Sequence, residues 1–191
     1  IKEDYVNAEK HFERLNKISQ YSLFFDDFTS NVLIAWSKAS QGNKEASFKF
    51  IEKVPKSYRH LKNTQNIFLQ CYFDDAQTTK SFEKLIHDKD YNFSRYNFFL
   101  ANYLLFNNKT IEAKKVIKNS RKKYNLNLLI KQTESFFLNH EYEKVKNFFN
   151  CKNPKDSLGE FFYVIANLYS SENNYQLSNF YMKISLFLNN K

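Results

Sequence analysis

The sequence predicts an all-α fold, a solenoid of antiparallel helix hairpins stacked in series. The first observation is a spacing of side chains that occurs twice. Ala101 and Ala166 each follow a bulky residue, and each precedes an apolar residue by three positions. A small residue then follows after nine positions and a bulky one after four more. The two alanines are 65 positions apart, which is about two periods of a ~34-residue helical repeat.

The second observation is the scarcity of turn-forming residues. The 191 residues include only 2 Gly and 2 Pro, whereas β-sandwiches, barrels and Gly-rich phosphate loops need more of both. The chain also carries 21 Phe and 13 Tyr, which supply ample apolar material for a core. Apolar residues recur at helical spacing almost throughout, so helices are expected along most of the chain.

Short breaks between helices are predicted where Asn, Asp and Gly cluster, because these residues tolerate left-handed backbone. They fall at Gln41-Gly42-Asn43, Asp74-Asp75, Asn107-Asn108, Asn139-His140 and Asn173-Asn174. Longer gaps near 56–61, 88–94, 124–126 and 150–157 alternate with them. This alternation is typical of helix hairpins in series.

Individual helix ends have their own signals. Ser157 and Glu160 form an S-x-x-E capping box, which predicts a helix beginning there, with Pro154 marking the preceding break. Ser94 is expected to cap the helix that contains Tyr96 to Phe106. Pro55 is expected to end a helix over about 43–54, because its ring cannot continue the hydrogen-bond ladder.

These signals predict one domain over residues 1–191, with five hairpins starting near 28, 60, 94, 126 and 159 and a half-hairpin before them. We find no linker or low-complexity segment. The chain begins with Ile1 rather than Met, so we expect it to be a fragment of a longer protein.

The spacing resembles that of the tetratricopeptide-repeat (TPR) family. The final unit places Phe162, Ile165-Ala166, Tyr169, Ser178 and Met182 at the family's motif positions, and Leu100-Ala101, Leu104, Ala113 and Ile117 match nearly as well. The register near 61–86 stays ambiguous. The resemblance implies a right-handed superhelical solenoid. The stretches 32–39 and 165–169 are also similar to alphaproteobacterial TPR proteins, which often carry signal peptides. A bacterial protein of the cytoplasm or the periplasm is therefore expected.

The TPR resemblance also implies which side chains line a concave groove. These candidate partner-binding residues are Phe98, Asn102, Leu105, Phe106, Glu134, Phe137, Tyr163, Asn167 and Ser170. In chaperone-binding members an Asn at the place of Asn102 and Asn167 grips peptide backbone or a terminal carboxylate. That clamp also needs Lys or Arg one turn earlier, where this chain has Phe98 and Tyr163. A carboxylate clamp is therefore not expected, and the two Asn are either ligand contacts or solvated surface residues.

The net charge of +9 raises the question whether the protein binds nucleic acid. Lys114, Lys118 and Arg121 form one stripe on a predicted second helix, which suggests either a solvated basic face or a nucleic-acid contact. The chain has only four Arg, although Arg makes the bidentate contacts that read bases. We therefore favour the solvated face over nucleic-acid contact.

Residues that could support catalysis, cofactors or metals form no pattern. The four His are scattered, and no phosphate loop, nucleophile elbow or zinc spacing occurs.

Cys71 lies in an apolar run and is interpreted as a buried small hydrophobe, and Cys151 lies in a predicted turn. Two such distant cysteines predict neither a disulfide framework nor a redox compartment. The sequence contains no run of about 18 apolar residues, so no membrane span is predicted. We expect no enzyme activity, no cofactor and no metal.

The expected function is that of a scaffold which binds a protein or an extended peptide on its concave face. One alternative is a structural spacer or self-assembly segment of a longer TPR array, and a second is a basic nucleic-acid-binding repeat. The terminal helices carry apolar residues that no further repeat covers in this chain, which predicts weak self-association. These residues are Tyr5, Phe12, Leu15, Ile184, Leu186 and Phe187.

Overall fold

A computed structural model describes residues 4–18, 27–88 and 91–190. This part of the chain contains eleven α-helices, a short 3-10 helix at Lys56–Tyr58 and no strand, so the all-α prediction is confirmed. The helices are α1 (Tyr5–Ile18), α2 (Asp27–Ser40), α3 (Lys44–Glu52), α4 (Arg59–Tyr72), α5 (Thr78–Ile86), α6 (Tyr96–Phe106), α7 (Thr110–Lys123), α8 (Leu128–Leu138), α9 (Tyr142–Phe148), α10 (Pro154–Ser171) and α11 (Tyr175–Leu188).

The helices group into two compact units. Unit 1 contains α1 to α4 together with α10 and α11, and unit 2 contains α5 to α9. Helices α2, α4, α6, α8 and α10 begin at Asp27, Arg59, Tyr96, Leu128 and Pro154, against the predicted hairpin starts near 28, 60, 94, 126 and 159.

A left-handed residue occurs once in every predicted hairpin. The described residues with positive φ are Gly42 (79°), Asp74 (53°), Asn108 (59°), His140 (58°) and Asn173 (60°). Successive members are 32, 34, 32 and 33 positions apart. These positions confirm the breaks predicted from Asn, Asp and Gly, and they give the chain a geometric period of about one helix pair.

Four of these turns close with the same backbone hydrogen bond. In each, the amide after the left-handed residue donates to the carbonyl five residues earlier, as in a Schellman motif. The bonds run from Asn43 to Lys38 (3.0 Å), Lys109 to Leu104 (2.8 Å), Glu141 to Phe136 (2.8 Å) and Asn174 to Tyr169 (2.9 Å). The bond satisfies a carbonyl that the helix end leaves without a partner, so one local solution ends α2, α6, α8 and α10.

The segment 61–86, whose repeat register is ambiguous in the sequence, contains a turn of different length. In the turns that contain Asn108 and His140, the residue five positions after the left-handed one is fully buried. These residues are Ala113 and Val145. After Asp74 the corresponding fully buried residue is Thr78, only four positions on. The turn before α5 is therefore one residue shorter than the other two.

The start of α10 differs from the prediction. Pro154 is its first residue, and the Asn153 side chain accepts a hydrogen bond from the Lys155 amide at 3.2 Å. Ser157 and Glu160 lie buried inside the helix, so the predicted capping box is wrong. Pro lacks the amide hydrogen that the first turn leaves unpaired, which makes it well suited to begin a helix.

The Ser94 prediction also fails. Its hydroxyl accepts a hydrogen bond from the Asn127 amide at 3.1 Å, and α6 begins without a side-chain cap. Pro55, in contrast, follows the end of α3 at Glu52 as expected.

Unit 1 does not stack its helices strictly in chain order. Helix α10 contacts α2 and α4 in addition to its hairpin partner α11, although it begins 82 residues after α4 ends. The Phe28 and Phe161 rings meet edge to face at 6.0 Å. A linear array in which each hairpin touches only its sequence neighbours lacks such contacts, so the expectation of strictly serial stacking does not hold within unit 1.

Candidate binding surfaces

The structure buries four of the residues expected to line a groove. Asn102 donates its side-chain amide to the Val145 carbonyl of α9 at 2.8 Å, so α9 lies on the face of α6 that the TPR resemblance leaves open. The buried residues and their exposed fractions are Phe98 (3%), Asn102 (2%), Leu105 (2%) and Phe137 (1%). Their place in the core corrects the expectation that their side chains contact a partner.

The two other predicted residues of unit 2 reach the surface. Phe106 is 42% exposed at the end of α6, and the Lys146 ammonium lies 6.0 Å from the centre of its ring. Glu134 is half-buried and accepts a hydrogen bond from the Arg121 guanidinium at 3.2 Å. Among the predicted residues of unit 2, Phe106 is therefore the one whose apolar side chain is exposed and can contact a partner.

In unit 1 the predicted residues lie on α10. Asn167 and Ser170 are exposed and Tyr163 is half-buried. The Asn167 side chain donates to the Tyr163 carbonyl of its own helix at 2.7 Å. Asn102 and Asn167 thus occupy matching sequence positions but make different contacts, one to a neighbouring helix and one within a single turn.

An exposed apolar surface follows the turns of unit 2, and we call Phe106, Ile111 and Leu138 the turn edge. Ile111 is 84% and Leu138 66% exposed. Phe106 and Leu138 each precede the left-handed residue of their turn by two positions, and Ile111 follows Asn108 by three. Since α6 and α8 pack together, all three lie at the same end of the hairpins α6–α7 and α8–α9. The sequence analysis missed Ile111 and Leu138, although their distance from the turn residues identifies them.

The basic stripe lies on α7 as predicted. Lys114 and Lys118 are exposed, while Ala113 and Ile117 are buried on an adjacent face of the helix. Arg121 is bound to Glu134 and to the Asn125 carbonyl. Its guanidinium is therefore engaged within the protein.

Unit 1 contains a cavity of about 250 Å³ between α1, α2, α10 and α11. Carbon atoms form nearly all of its surface. The lining residues are Asp4, Tyr5, Ala8, Phe12, Leu33, Trp36, Ser37, Ser40, Pro154, Lys155, Leu158, Phe162, Ile184, Phe187 and Leu188. Sequence reasoning had no means of finding it, because the cavity requires the first and last helices to lie in one unit.

Three polar groups in the cavity wall already have partners. The Trp36 indole donates to the Gln65 amide oxygen at 2.7 Å, and the Ser40 hydroxyl donates to the Trp36 carbonyl at 2.8 Å. The Ser37 hydroxyl donates to the Tyr5 carbonyl at 2.6 Å. The donors of these three groups are therefore satisfied without a hydrogen bond to a ligand.

Helix α1, one wall of the cavity, is fixed to α2 through Glu9. The Lys38 ammonium lies 2.5 Å from one carboxylate oxygen, and the Gln41 amide donates to the other at 2.7 Å. Burial raises the pKa of the Glu9 carboxyl, but the hydrogen bonds from Lys38 and Gln41 outweigh it. The pKa of Glu9 consequently lies below its ordinary value.

This arrangement predicts an acid-sensitive α1. A carboxyl whose pKa is lowered by folding stabilises the folded state above its unfolded pKa, and the stabilisation is lost as the pH falls through the folded pKa. We expect amide hydrogen exchange in α1, after correction for intrinsic exchange, to accelerate once the pH falls below the ordinary pKa of a Glu carboxyl. Glu9→Gln should show the faster exchange already at neutral pH and no further acid step from this site. An unchanged pH profile in Glu9→Gln would contradict the assignment.

Both cysteines are buried, Cys71 at 1% and Cys151 at 7% exposure. Each is disulfide-bonded, which corrects the expectation from their distance in the sequence, whereas the predicted burial of Cys71 is confirmed. Within the described ranges, no three His, Cys, Asp or Glu side chains meet in a way that could hold a metal ion. No helix in the same ranges has the length and apolar character required to cross a membrane.

Comparison of the chain with protein-family models, with curated proteins and with solved structures finds no match.

Proposed function

We propose that this chain is a non-catalytic, TPR-like helical scaffold that binds a protein or an extended peptide through the turn edge of unit 2. The observation that carries the proposal is the exposure of Phe106, Ile111 and Leu138 at one end of two packed hairpins. This surface replaces the groove face of α6, which α9 covers.

Two properties of the turn edge support partner binding. Its residues stand at turns held by the same backbone bond, so the backbone that carries them is ordered before a partner arrives. Burying a side chain of this size contributes roughly 1.5–3 kcal/mol before the entropic cost of association. Three such anchors are enough for a weak, reversible complex.

The repeat period supports the TPR-like part of the proposal. Left-handed residues 32–34 positions apart agree with a unit of one helix pair, and α6 to α9 place two such pairs next to each other. The stacking of α10 on α2 and α4 is a departure that the family resemblance does not explain.

A peptide selection tests the proposal. A displayed library of random peptides is selected against the intact, oxidised chain, and the selected peptides are titrated against Phe106→Ser/Ile111→Ser/Leu138→Ser. We expect affinity to fall at least about tenfold, because the apolar anchors are removed.

The matched control is Leu126→Ser/Leu128→Ser, which removes two leucines of the same unit that are 88% and 78% exposed. Leu126 precedes α8 and Leu128 is its first residue, so both lie at the other end of the hairpins. Peptides that bind the turn-edge variant as tightly as the original chain would refute the proposal.

Self-association is a second candidate, favoured by the C-terminal helix. Leu186 and Phe187 are 57% and 68% exposed on α11, and Phe12 is half-buried, whereas the side chain of Leu15 lies outside the described residues. Sedimentation over a concentration series should show a weak dimer that Leu186→Ser/Phe187→Ser abolishes.

For the nucleic-acid alternative, oligonucleotide affinity should fall steeply with added salt.

We also propose that the protein resides in an oxidising compartment, such as the periplasm. Disulfides persist in such compartments and are rare in a reducing cytoplasm. Support comes from the bonded state of Cys71 and Cys151. Alkylation of thiols in freshly lysed native cells, followed by mass analysis, should leave both cysteines unmodified. Complete alkylation after denaturation without reductant would contradict the proposed location.

A further inference from the structure

We propose that the cavity of unit 1 is a binding site for the hydrocarbon chain of an amphiphile. This inference is independent of the turn edge, which belongs to unit 2. It concerns a small ligand with an unbranched apolar tail, whose polar end stays at the mouth of the cavity.

The chemistry of the lining selects an apolar occupant. Leu33, Leu158 and Ile184 contribute aliphatic surface, and Trp36 and Phe162 contribute aromatic surface. The hydroxyls of Ser37 and Ser40 and the indole of Trp36 donate to protein acceptors. A polar group buried against these side chains would lose its bonds to water without gaining a hydrogen bond from these donors, which is unfavourable.

The same argument disfavours an extended peptide as the occupant. Every residue of an extended backbone carries an amide and a carbonyl, and the donors of Trp36, Ser37 and Ser40 are already used within the protein. A hydrocarbon chain has no such groups. The wall therefore suits an alkyl tail better than a peptide strand.

The size of the cavity agrees with an alkyl tail. A protein cavity of roughly 150 Å³ lined by Leu, Ile and Phe accepts benzene. The cavity of unit 1, at about 250 Å³, has space for a longer group. It reaches the surface at Phe187, which is 68% exposed, and its lining includes the charged residues Asp4 and Lys155. An amphiphile can thus bury its tail and keep its head hydrated.

Trp36 provides a direct readout, because it is the single tryptophan of the chain and lines the cavity. The intact chain is titrated with dodecanoate below its micelle concentration while tryptophan fluorescence is recorded. We expect a saturable change with one ligand per chain. From hexanoate to dodecanoate, affinity should rise by up to about fourfold per methylene until the cavity is filled.

Two variants fill the cavity from different walls, Ala8→Phe from α1 and Ser40→Phe from α2. Each should reduce dodecanoate affinity by at least about tenfold while far-UV circular dichroism stays unchanged. Ala76→Phe is the matched control, because Ala76 is exposed and does not line the cavity. The use of two walls keeps the test decisive if one variant fails to fold. The turn-edge variant should bind dodecanoate normally, which separates this proposal from the proposed function.

Head-group variation completes the test. Dodecanol should bind within about threefold of dodecanoate if the tail is what the cavity recognises. The proposal is overturned if no alkanoate gives a saturable signal, if neither filling variant weakens binding, or if dodecanol does not bind. A stoichiometry of one ligand per two chains would also overturn it, because the site would then be an interface between copies.

Discussion

Replacing Trp36 with alanine is expected to lower the free energy of unfolding by about 3–5 kcal/mol. Trp36 is 1% exposed, and its ring meets that of Tyr72 edge to face at 5.8 Å. The substitution removes a large apolar side chain, enlarges an existing cavity and leaves the Gln65 oxygen without its 2.7 Å partner. Urea unfolding followed by far-UV circular dichroism measures the loss.

The conservative variant Trp36→Phe separates packing from hydrogen bonding. It keeps an aromatic ring in α2 but removes the indole donor, so the cost should be smaller, about 1–3 kcal/mol for an unpaired Gln65 amide. A loss below about 1 kcal/mol in Trp36→Ala would show that unit 1 does not depend on this contact.

Reduction of the disulfide-bonded cysteines is expected to destabilise the protein by about 2–5 kcal/mol. Cys71 and Cys151 are buried, so a reductant should reach their bonded sulfur atoms only after partial unfolding. Urea unfolding with and without dithiothreitol, on otherwise identical samples, gives the difference in midpoint.

The double variant Cys71→Ser/Cys151→Ser is the control for this measurement. Its unfolding midpoint should lie near that of the reduced original chain and should not respond to dithiothreitol. Equal midpoints for the oxidised and reduced original chain would contradict a stabilising role for disulfide bonding of these cysteines.

Local features of the fold could be predicted from the sequence because they depend on neighbouring residues. Gly42 and Asn108 tolerate left-handed backbone, and both stand at turns in the structure. Pro55 ends α3 for an equally local reason, its missing amide hydrogen. The all-α class follows from the same short-range periodicity.

Long-range packing could not be predicted in this way. Asn102 and Asn167 fit the same motif position, but α9 buries the first and solvent surrounds the second. Periodicity identifies the apolar side of α10 without identifying α2 and α4 as its neighbours. The cavity depends on that same tertiary arrangement. The wrong capping box at Ser157 has a different origin, since Asn153 and Pro154 together form the stronger start signal.

The most direct test of partner binding through the turn edge is amide hydrogen exchange on the intact chain, with and without a saturating selected peptide. The expected result is slower exchange at residues 104–111 and 136–141, with residues 126–131 unchanged. Those two segments contain Phe106, Ile111 and Leu138 together with their left-handed turns. Slower exchange confined to residues 126–131, or to unit 1, would contradict the proposed binding surface.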